Sequence, residues 1–130
     1  AVARRLQKNF RNAGLDITIE QWSVLYHLWK EDGLSQLELG NRTFRDKAST
    51  TRLIDNLEKQ ELVTRVASKD DRRINLVYLT DIAKPLQQIT YELANKTMKE
   101  SLQNISKEEI EVVKNVLQRV YDNLTSKDLI

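Results

Sequence analysis

Hydrophobic residues spaced three and four positions apart predict two helices near the start of the chain. The first is predicted over residues 1–13, and Gly14 follows where a helix would stop. The second begins after Thr18, which has the spacing of a capping box with Gln21, and it ends at Asp32-Gly33. The apolar stripe of the first helix is Val2, Leu6, Phe10 and Ala13. The apolar stripe of the second is Trp22, Leu25, Tyr26 and Trp29.

A short helix is predicted next. Ser35 and Glu38 have the spacing of a second capping box, and Leu37 is expected to point inward. This helix should end near Gly40 or Asn41, and residues 41–45 read as a turn-like connector.

Asp46 is a suitable N-cap for the following helix, which is predicted from Lys47 to Gln60. Its periodicity places the buried side on Leu53, Ile54 and Leu57, with Thr50 close to them.

The spacing of apolar residues then changes from helical to alternating. Residues 62–67 alternate Leu62, Thr64 and Val66 with Val63, Arg65 and Ala67, and residues 74–79 are apolar and partly β-branched. These two segments predict a pair of strands, and the six polar residues 68–73 between them predict the tip of a hairpin.

Two more helices are predicted after the hairpin. The first is capped by Thr80 and ends near Asn104-Ile105, with Pro85 in its first turns, where a missing amide donor costs least. Its apolar face is Ile82, Leu86, Ile89 and Leu93. A third capping box, Ser106 to Glu109, opens the last helix, whose apolar residues have coiled-coil spacing. They are Ile110, Val113, Leu117, Val120 and Leu124. The predicted fold class is therefore mainly α with a small β-hairpin.

Composition excludes several function classes. The 130 residues contain no cysteine and one histidine, His27, which removes thiol chemistry and makes a His-based metal site improbable. We assign no role to His27. No nucleophile with a base beside it and no Gly-rich loop is recognisable, so neither an enzyme nor a cofactor is expected. The charge of +2 is mild, and no segment approaches the apolar length of a membrane span. We expect a cytoplasmic protein, with residues missing before the first one because that residue is not Met.

The outer face of the helix after Asp46 has the composition that a DNA major groove requires. Its first turns carry small polar side chains, which leave room for the helix to enter, and Arg52 lies behind them. Arginine contacts guanine through two hydrogen bonds. The alternative is an ordinary solvated helix face, because these residue types are common there.

The hairpin tip is basic. It contains Lys69, Arg72 and Arg73, and arginine suits the concentrated negative potential of a narrow minor groove. Asp70 and Asp71 stand beside them, and we hypothesise that an aspartate bonds an arginine and orients its guanidinium. The alternative is a solvated turn with an internal salt bridge. The order of a capped short helix, a turn, a polar-faced helix and a basic hairpin is that of a winged helix-turn-helix.

The chain also resembles the multiple-antibiotic-resistance regulator (MarR) family of bacterial transcription factors over nearly its whole length. The matching segments are Thr18-x-x-Gln-Trp-x-Val-Leu, Asp46-Lys-Ala-Ser-Thr-Thr-Arg-Leu-Ile-Asp-Asn-Leu-Glu-Lys, Leu62-Val-Thr-Arg, Asp71-Arg-Arg and Leu79-Thr80. Two residues depart from the family pattern. Gly40 stands where alanine is usual and Thr50 where an apolar residue is common, and both are expected to loosen local packing.

The resemblance implies a homodimer that binds a palindromic operator in double-stranded DNA, most often as a repressor. Residues 18–79 would form the winged helix-turn-helix lobe, and residues 1–17 and 80–130 the helical dimerisation region. Asp71 would orient the wing, and Ser35 and Gln36 would contact phosphate. The implied recognition-helix contacts are Arg45, Lys47, Ser49, Thr51 and Arg52, and the implied wing contacts are Lys69, Arg72 and Arg73.

Family members often bind a small aromatic or anionic effector between the two regions. Trp22, Tyr26 and Trp29 would lie near that cleft, although their spacing is also that of core residues. The stripes Val2, Leu6, Phe10 and Ile110–Leu124, with Leu129 and Ile130, favour a dimer, and packing into a single-chain bundle is the alternative. The alternative function is a protein-interaction module without sequence-specific DNA binding.

Overall fold

The computed structural model describes residues 1–126 and divides the chain into two compact units, residues 1–98 and 99–130. The helices described are α1 (Val2–Asn12), α2 (Ile19–Lys30), α3 (Gln36–Arg42), α4 (Lys47–Lys59), α5 (Leu86–Ser101) and α6 (Lys107–Thr125). The strands are β1 (Leu34–Ser35), β2 (Val63–Ala67) and β3 (Asn75–Leu79). The predicted class, mainly α with a β-hairpin, is confirmed.

Helix α2 lies at the centre of the first unit, against α1, α3, α4 and β3. Its predicted capping box is confirmed, since Thr18 Oγ1 accepts from the Gln21 N–H at 3.1 Å and Gln21 Oε1 accepts from the Thr18 N–H at 3.0 Å. The predicted stripe is only partly right, because the residues buried from α2 are Gln21, Val24, Leu25 and Leu28. The three aromatic residues are half-buried. A helix covered on several sides is apolar around much of its circumference, so periodicity alone does not identify the most buried face.

Helices α3 and α4 form the helix-turn-helix. The inward orientation predicted for Leu37 is wrong, because it is 75% exposed while Leu39 is fully buried. Two residues along a helix amount to a rotation of about 200°, which puts Leu37 on the side opposite Leu39. On α4, Ile54 and Leu57 are buried as predicted, whereas Leu53 is half-buried.

The predicted hairpin is confirmed to within one residue at each strand. Strands β2 and β3 pair antiparallel from Val63 opposite Leu79 to Ala67 opposite Asn75. The sequence did not predict β1, which pairs with the other edge of β3 and places Leu34 opposite Val77. A strand of two residues is too short to show alternation. We call residues 63–79 the wing.

Helix α5 begins later than predicted. Thr80 is not its N-cap, because residues 81–85 form a turn and the helix starts at Leu86; the Thr80 hydroxyl instead donates to the Glu61 carbonyl at 2.7 Å. Pro85 explains the difference, since proline disfavours helical backbone at the residue before it. The predicted apolar face is also displaced, because Ile82 and Ile89 are exposed while α5 buries Thr90 and Thr97.

Much of the apolar face of helix α1 is covered by other parts of the same chain. Leu6 and Phe10 are buried, so the prediction that they favour a dimer is wrong, whereas Val2 and Ala13 of that stripe are exposed. Asn9 Nδ2 donates to Thr97 Oγ1 at 2.9 Å, which links α1 to α5. This link ties down the start of the chain.

The second unit contains α6. Its capping box is confirmed, with Ser106 Oγ 3.1 Å from the Glu109 N–H and Glu109 Oε1 3.0 Å from the Ser106 N–H. The apolar stripe runs along the helix as predicted, and most of it is exposed in the single chain, from Val113 at 55% to Leu124 at 77%. Leu129 and Ile130 lie outside the described residues. No helix described here is long and apolar enough to cross a membrane.

Candidate nucleic-acid interface

The N-terminus of α4 is fixed by Asp46. Its carboxylate oxygen Oδ1 accepts from the Ser49 N–H at 2.7 Å, which confirms the predicted cap. Hydrogen bonds from the backbone N–H of Ser49, and then from its side chain, hold the pKa of Asp46 below the ordinary value. Because Asp46 stays ionised, it satisfies the end of the helix that carries the predicted groove contacts.

Four of the five predicted recognition residues lie on α4. Lys47 and Arg52 are exposed, whereas Ser49 and Thr51 are half-buried. Arg45 precedes the N-cap and lies in the turn between α3 and α4. Its Nη1 donates to Ser23 Oγ at 3.2 Å, so the guanidinium is bonded to α2.

The start of α3 is engaged in hydrogen bonds within α3, to α4, and to Arg65 of the wing, whose Nε donates to Gln36 Oε1 at 2.7 Å. Ser35 Oγ accepts from the Glu38 N–H at 3.1 Å, while its hydroxyl donates to the Glu38 carboxylate at 3.2 Å in place of the expected backbone-to-carboxylate bond. Gln36 Nε2 donates to Thr51 Oγ1 at 3.3 Å. Contact of Ser35 and Gln36 with phosphate stays a prediction.

The wing tip holds the predicted pair of an aspartate and an arginine. Arg73 donates through Nε and Nη2 to the two carboxylate oxygens of Asp71, at 3.1 and 3.2 Å, and its backbone N–H donates to Asp71 Oδ1 at 3.0 Å. These bonds lower the pKa of Asp71, the side-chain bonds most. Arg73 remains 90% exposed despite this pairing, and Lys69 and Arg72 are exposed beside it.

The start of α3, helix α4 and the wing line one cleft of about 850 Å³ in the first unit. Its walls include predicted contacts from all three elements, namely Ser35, Gln36, Arg45, Lys47, Thr51 and Arg73. Ser49, Arg52, Lys69 and Arg72 are not among its walls. The structure therefore assembles part of the predicted set at one place.

Sequence reasoning missed Arg65. This β2 side chain is 17% exposed, lines the cleft, and forms hydrogen bonds with residues of α3 and α4. A signal was present, since the alternation puts Arg65 on the same strand face as the buried Val63. An arginine on a core-facing strand position needs acidic partners, which makes it worth singling out.

Trp22 and Tyr26, predicted to lie near an effector cleft, belong to an aromatic cluster. Ring centroids lie 5.8 Å apart for Trp22 and Tyr26, and 5.9 Å apart for Tyr26 and Tyr91, which the sequence did not predict. Lys30 Nζ lies 4.5 Å above the Tyr26 ring. The buried indole N–H of Trp22 has no hydrogen-bond acceptor in residues 1–126. An acceptor from a ligand would satisfy this donor.

His27 lies beside the cluster with its ring edge against Tyr26, at 5.5 Å between centroids. Partial burial, then the positive charges of Arg42 and Lys30, lower its pKa. Residues 1–126 contain no cluster of His, Cys, Asp and Glu able to hold a metal ion.

Comparisons with known proteins agree with this geometry. The family model of the MarR family matches residues 17–74. An uncharacterized HTH-type transcriptional regulator of Bacillus subtilis (strain 168), YdgJ, is 33% identical over 108 residues, which is 83% of this chain and 64% of that protein. The chain thus spans slightly less than two thirds of that relative's length.

Solved structures extend the likeness to the whole fold. A probable transcriptional regulator from Pseudomonas aeruginosa is 28% identical with a TM-score of 0.78, over 92% of this chain and 90% of that one. Wild-type apo MarR from E. coli has a TM-score of 0.79 at 24% identity, over 92% and 87% of the two chains. At that identity the second match supports the fold alone.

Proposed function

We propose that the chain is a member of the MarR family, whose members are DNA-binding transcription regulators and not enzymes, and that it regulates transcription by binding an operator in double-stranded DNA. The observation that supports this most strongly is the shared cleft, where side chains from α3, α4 and the wing face one place. A duplex presents a major groove with a minor groove beside it, which fits a helix beside a basic hairpin.

The proposed contacts divide between the two grooves. Helix α4 enters the major groove, where Arg52 and the small polar side chains of its first turns reach base edges, with Arg45 at its border. The wing follows the minor groove, where Lys69, Arg72 and Arg73 meet the phosphate potential. Asp71 orients Arg73, and Ser35 and Gln36 lie close to a phosphate.

The proposal includes a homodimer. The exposed stripe of α6 supports it, because fully burying an exposed valine or leucine side chain stabilises a protein by about 1.5–3 kcal/mol. The stripe residues from Val113 to Leu124 are 47–77% exposed in the single chain, so covering each would contribute part of that figure. Two-fold symmetry would place two recognition helices about 34 Å apart, one turn of DNA, and would require a palindromic operator. A dimer seated on such a site in a bacterial cytoplasm would act as a repressor by excluding other proteins from it.

Salt-dependent binding tests the DNA contacts. We expect wild type to bind duplex DNA more weakly as salt rises. Arg73→Ala should lose roughly tenfold in affinity and lower the salt slope by about one for each wing in the complex. The slope falls because binding releases fewer counterions from the DNA when a phosphate contact is lost. Fluorescence anisotropy of a labelled duplex at four or more salt concentrations measures both quantities.

Arg11→Ala is the matched control for this experiment, since it removes the same charge from the exposed last turn of α1. It should leave affinity and slope unchanged. Wild-type affinity that does not depend on salt would overturn the DNA-binding proposal and favour the protein-interaction alternative. Equal salt slopes for wild type and Arg73→Ala would exclude the wing from the proposed DNA contacts.

We also propose that a small aromatic carboxylate releases the operator by binding the aromatic cluster. The indole N–H of Trp22, which has no acceptor among residues 1–126, offers a donor, and the ammonium of Lys30 offers a positive charge over the Tyr26 ring. Benzoate is a suitable probe. Titration with benzoate should change the tryptophan fluorescence of the Trp29→Phe variant, in which Trp22 is the remaining tryptophan. It should leave the fluorescence of the Trp22→Phe variant unchanged. Absence of any saturable change in wild type would exclude this class of effector.

A further inference from the structure

We propose that Arg65 is a positioning residue for DNA recognition, which sets the orientation of α4 relative to the wing. This inference rests on the proposed function, because the orientation has a role only if both elements contact one operator half-site. We call the arginine and its partners the Arg65 clamp. The clamp consists of Arg65, Gln36, Thr51, Asp55 and Glu58.

The Arg65 clamp joins three elements through one guanidinium. Arg65 Nη2 lies 2.6 Å from Asp55 Oδ1 and 3.2 Å from the Thr51 carbonyl oxygen, and Nη1 lies 3.2 Å from Glu58 Oε1. Arg65 Nε donates to Gln36 Oε1 at 2.7 Å, at the start of α3. The backbone N–H of Arg65 also donates to Glu58 Oε2 at 3.2 Å. The four side-chain bonds use four of the five N–H donors that a guanidinium offers.

The position of Arg65 in the sheet makes it a link to the wing. Its backbone lies in β2 opposite Val77 of β3, and the two strands continue from there to the basic tip. Its partners on α4 are Thr51, Asp55 and Glu58, which lie four and three residues apart and so share one helix face. Because the Arg65 backbone is fixed in the sheet and its guanidinium is bonded to that face of α4, these bonds resist rotation of α4 about its own axis.

The charges of the clamp favour a positioning role for Arg65 over direct contact with DNA. Arg65 is 17% exposed, while Asp55 and Glu58 are 49% and 44% exposed around it. The clamp therefore contains one positive and two negative side chains, and its exposed part is the acidic one. Phosphate is repelled by the Asp55 and Glu58 carboxylates, so Arg65 and these two partners act through the elements that they hold and not by touching DNA. Lysine could not replace Arg65, because a point charge lacks the planar fork that reaches acceptors on two helices at once.

The test compares a specific with a non-specific duplex, with the full chain in each case. The operator selected from random DNA is the first, and a scrambled duplex of equal length is the second. For Arg65→Gln we expect affinity for the operator to fall about tenfold, because α4 and the wing no longer hold one mutual orientation. Affinity for the scrambled duplex should stay within about twofold, because that binding depends on the phosphate contacts, which remain.

Asp55→Asn is the second variant, and it changes a half-exposed side chain, so it keeps the assay usable if Arg65→Gln does not fold. It should reproduce the selective loss, and the double variant should lose no more than either single one, because the pair acts as a unit. Arg65→Lys should not restore operator affinity. Arg11→Gln, which removes an exposed arginine of α1, should leave both affinities unchanged.

Three results would overturn the inference. Equal losses on both duplexes, with a smaller salt slope, would make Arg65 a DNA contact. A lower melting temperature with unchanged operator affinity of the folded protein would make it a structural residue only. Additive losses in the double variant would separate Arg65 from Asp55. If wild type itself did not distinguish the two duplexes, the proposed function would fail before the clamp was tested.

Discussion

At the scale of single residues, Gly40 and Thr50 are matched to each other. A Cβ atom at Gly40 would lie 3.0 Å from Thr50 Oγ1 and 3.2 Å from the Arg45 carbonyl oxygen, closer than ordinary van der Waals contact. Thr50 is 2% exposed, and its hydroxyl donates to the Asp46 carbonyl at 2.8 Å. Both residues depart from the family pattern, and the expectation that they loosen packing is wrong, because the missing methyl group lets α3 and α4 approach closely.

This contact predicts coupled stability effects. Gly40→Ala gains about 1 kcal/mol of helix propensity, but the backbone carbonyl of Arg45 and the bonded hydroxyl of Thr50 have little freedom to move. We expect a net loss of about 1 kcal/mol in the free energy of unfolding, an overpacking cost. Combination with Thr50→Ala, which removes the hydroxyl, should recover at least about 0.5 kcal/mol relative to the sum of the single changes. Urea denaturation measures all three values.

Thr90→Ala is the control for that cycle. Thr90 is also buried and donates to a carbonyl one turn back, Leu86, but it lies on α5. Its effect should add to that of Gly40→Ala. Additivity between Gly40→Ala and Thr50→Ala would contradict the matched contact.

Sequence distance also decides which side-chain bonds were predictable. Asp71 and Arg73 are two residues apart, so the sequence alone indicated that an aspartate of the tip bonds an arginine, and the structure identifies this pair. Arg65 finds its partners 7, 10, 14 and 29 residues away, so only the folded backbone brings them together. The pattern of the strand marked Arg65 as unusual without identifying what it binds.

At the scale of elements, the features that depend on neighbouring residues were predicted well. The caps at Thr18, Asp46 and Ser106 are local bonds between a side chain and an amide three residues on, and the structure confirms each. The hairpin was predicted because alternation and a polar tip occur together.

Errors arose where a third element decides the outcome. The buried face of α2 depends on the helices and strand around it, and β1 exists only because β3 offers an edge at Leu34. The delayed start of α5 is different in kind. Pro85 was visible in the sequence, but its restriction on the preceding residue outweighs the capping pattern at Thr80.

At the scale of the whole molecule, the proposed homodimer depends on which apolar surface the single chain leaves exposed. Leu6 and Phe10 of α1 are covered within the chain, whereas the stripe of α6 is exposed, so α6 carries most of the case for a homodimer. A dimer in turn converts one recognition helix and one wing into a symmetric pair, and the symmetry of the DNA site follows from it. The central claim is therefore that two copies read a palindrome.

Selection of bound duplexes from a random DNA pool, followed by sequencing, tests this claim most directly. We predict enrichment of one inverted repeat whose half-site centres lie about ten base pairs apart, because two recognition helices on one face of DNA are separated by a helical turn. Enrichment of a single asymmetric half-site would contradict the homodimer, and a pool without enrichment would contradict sequence-specific binding itself.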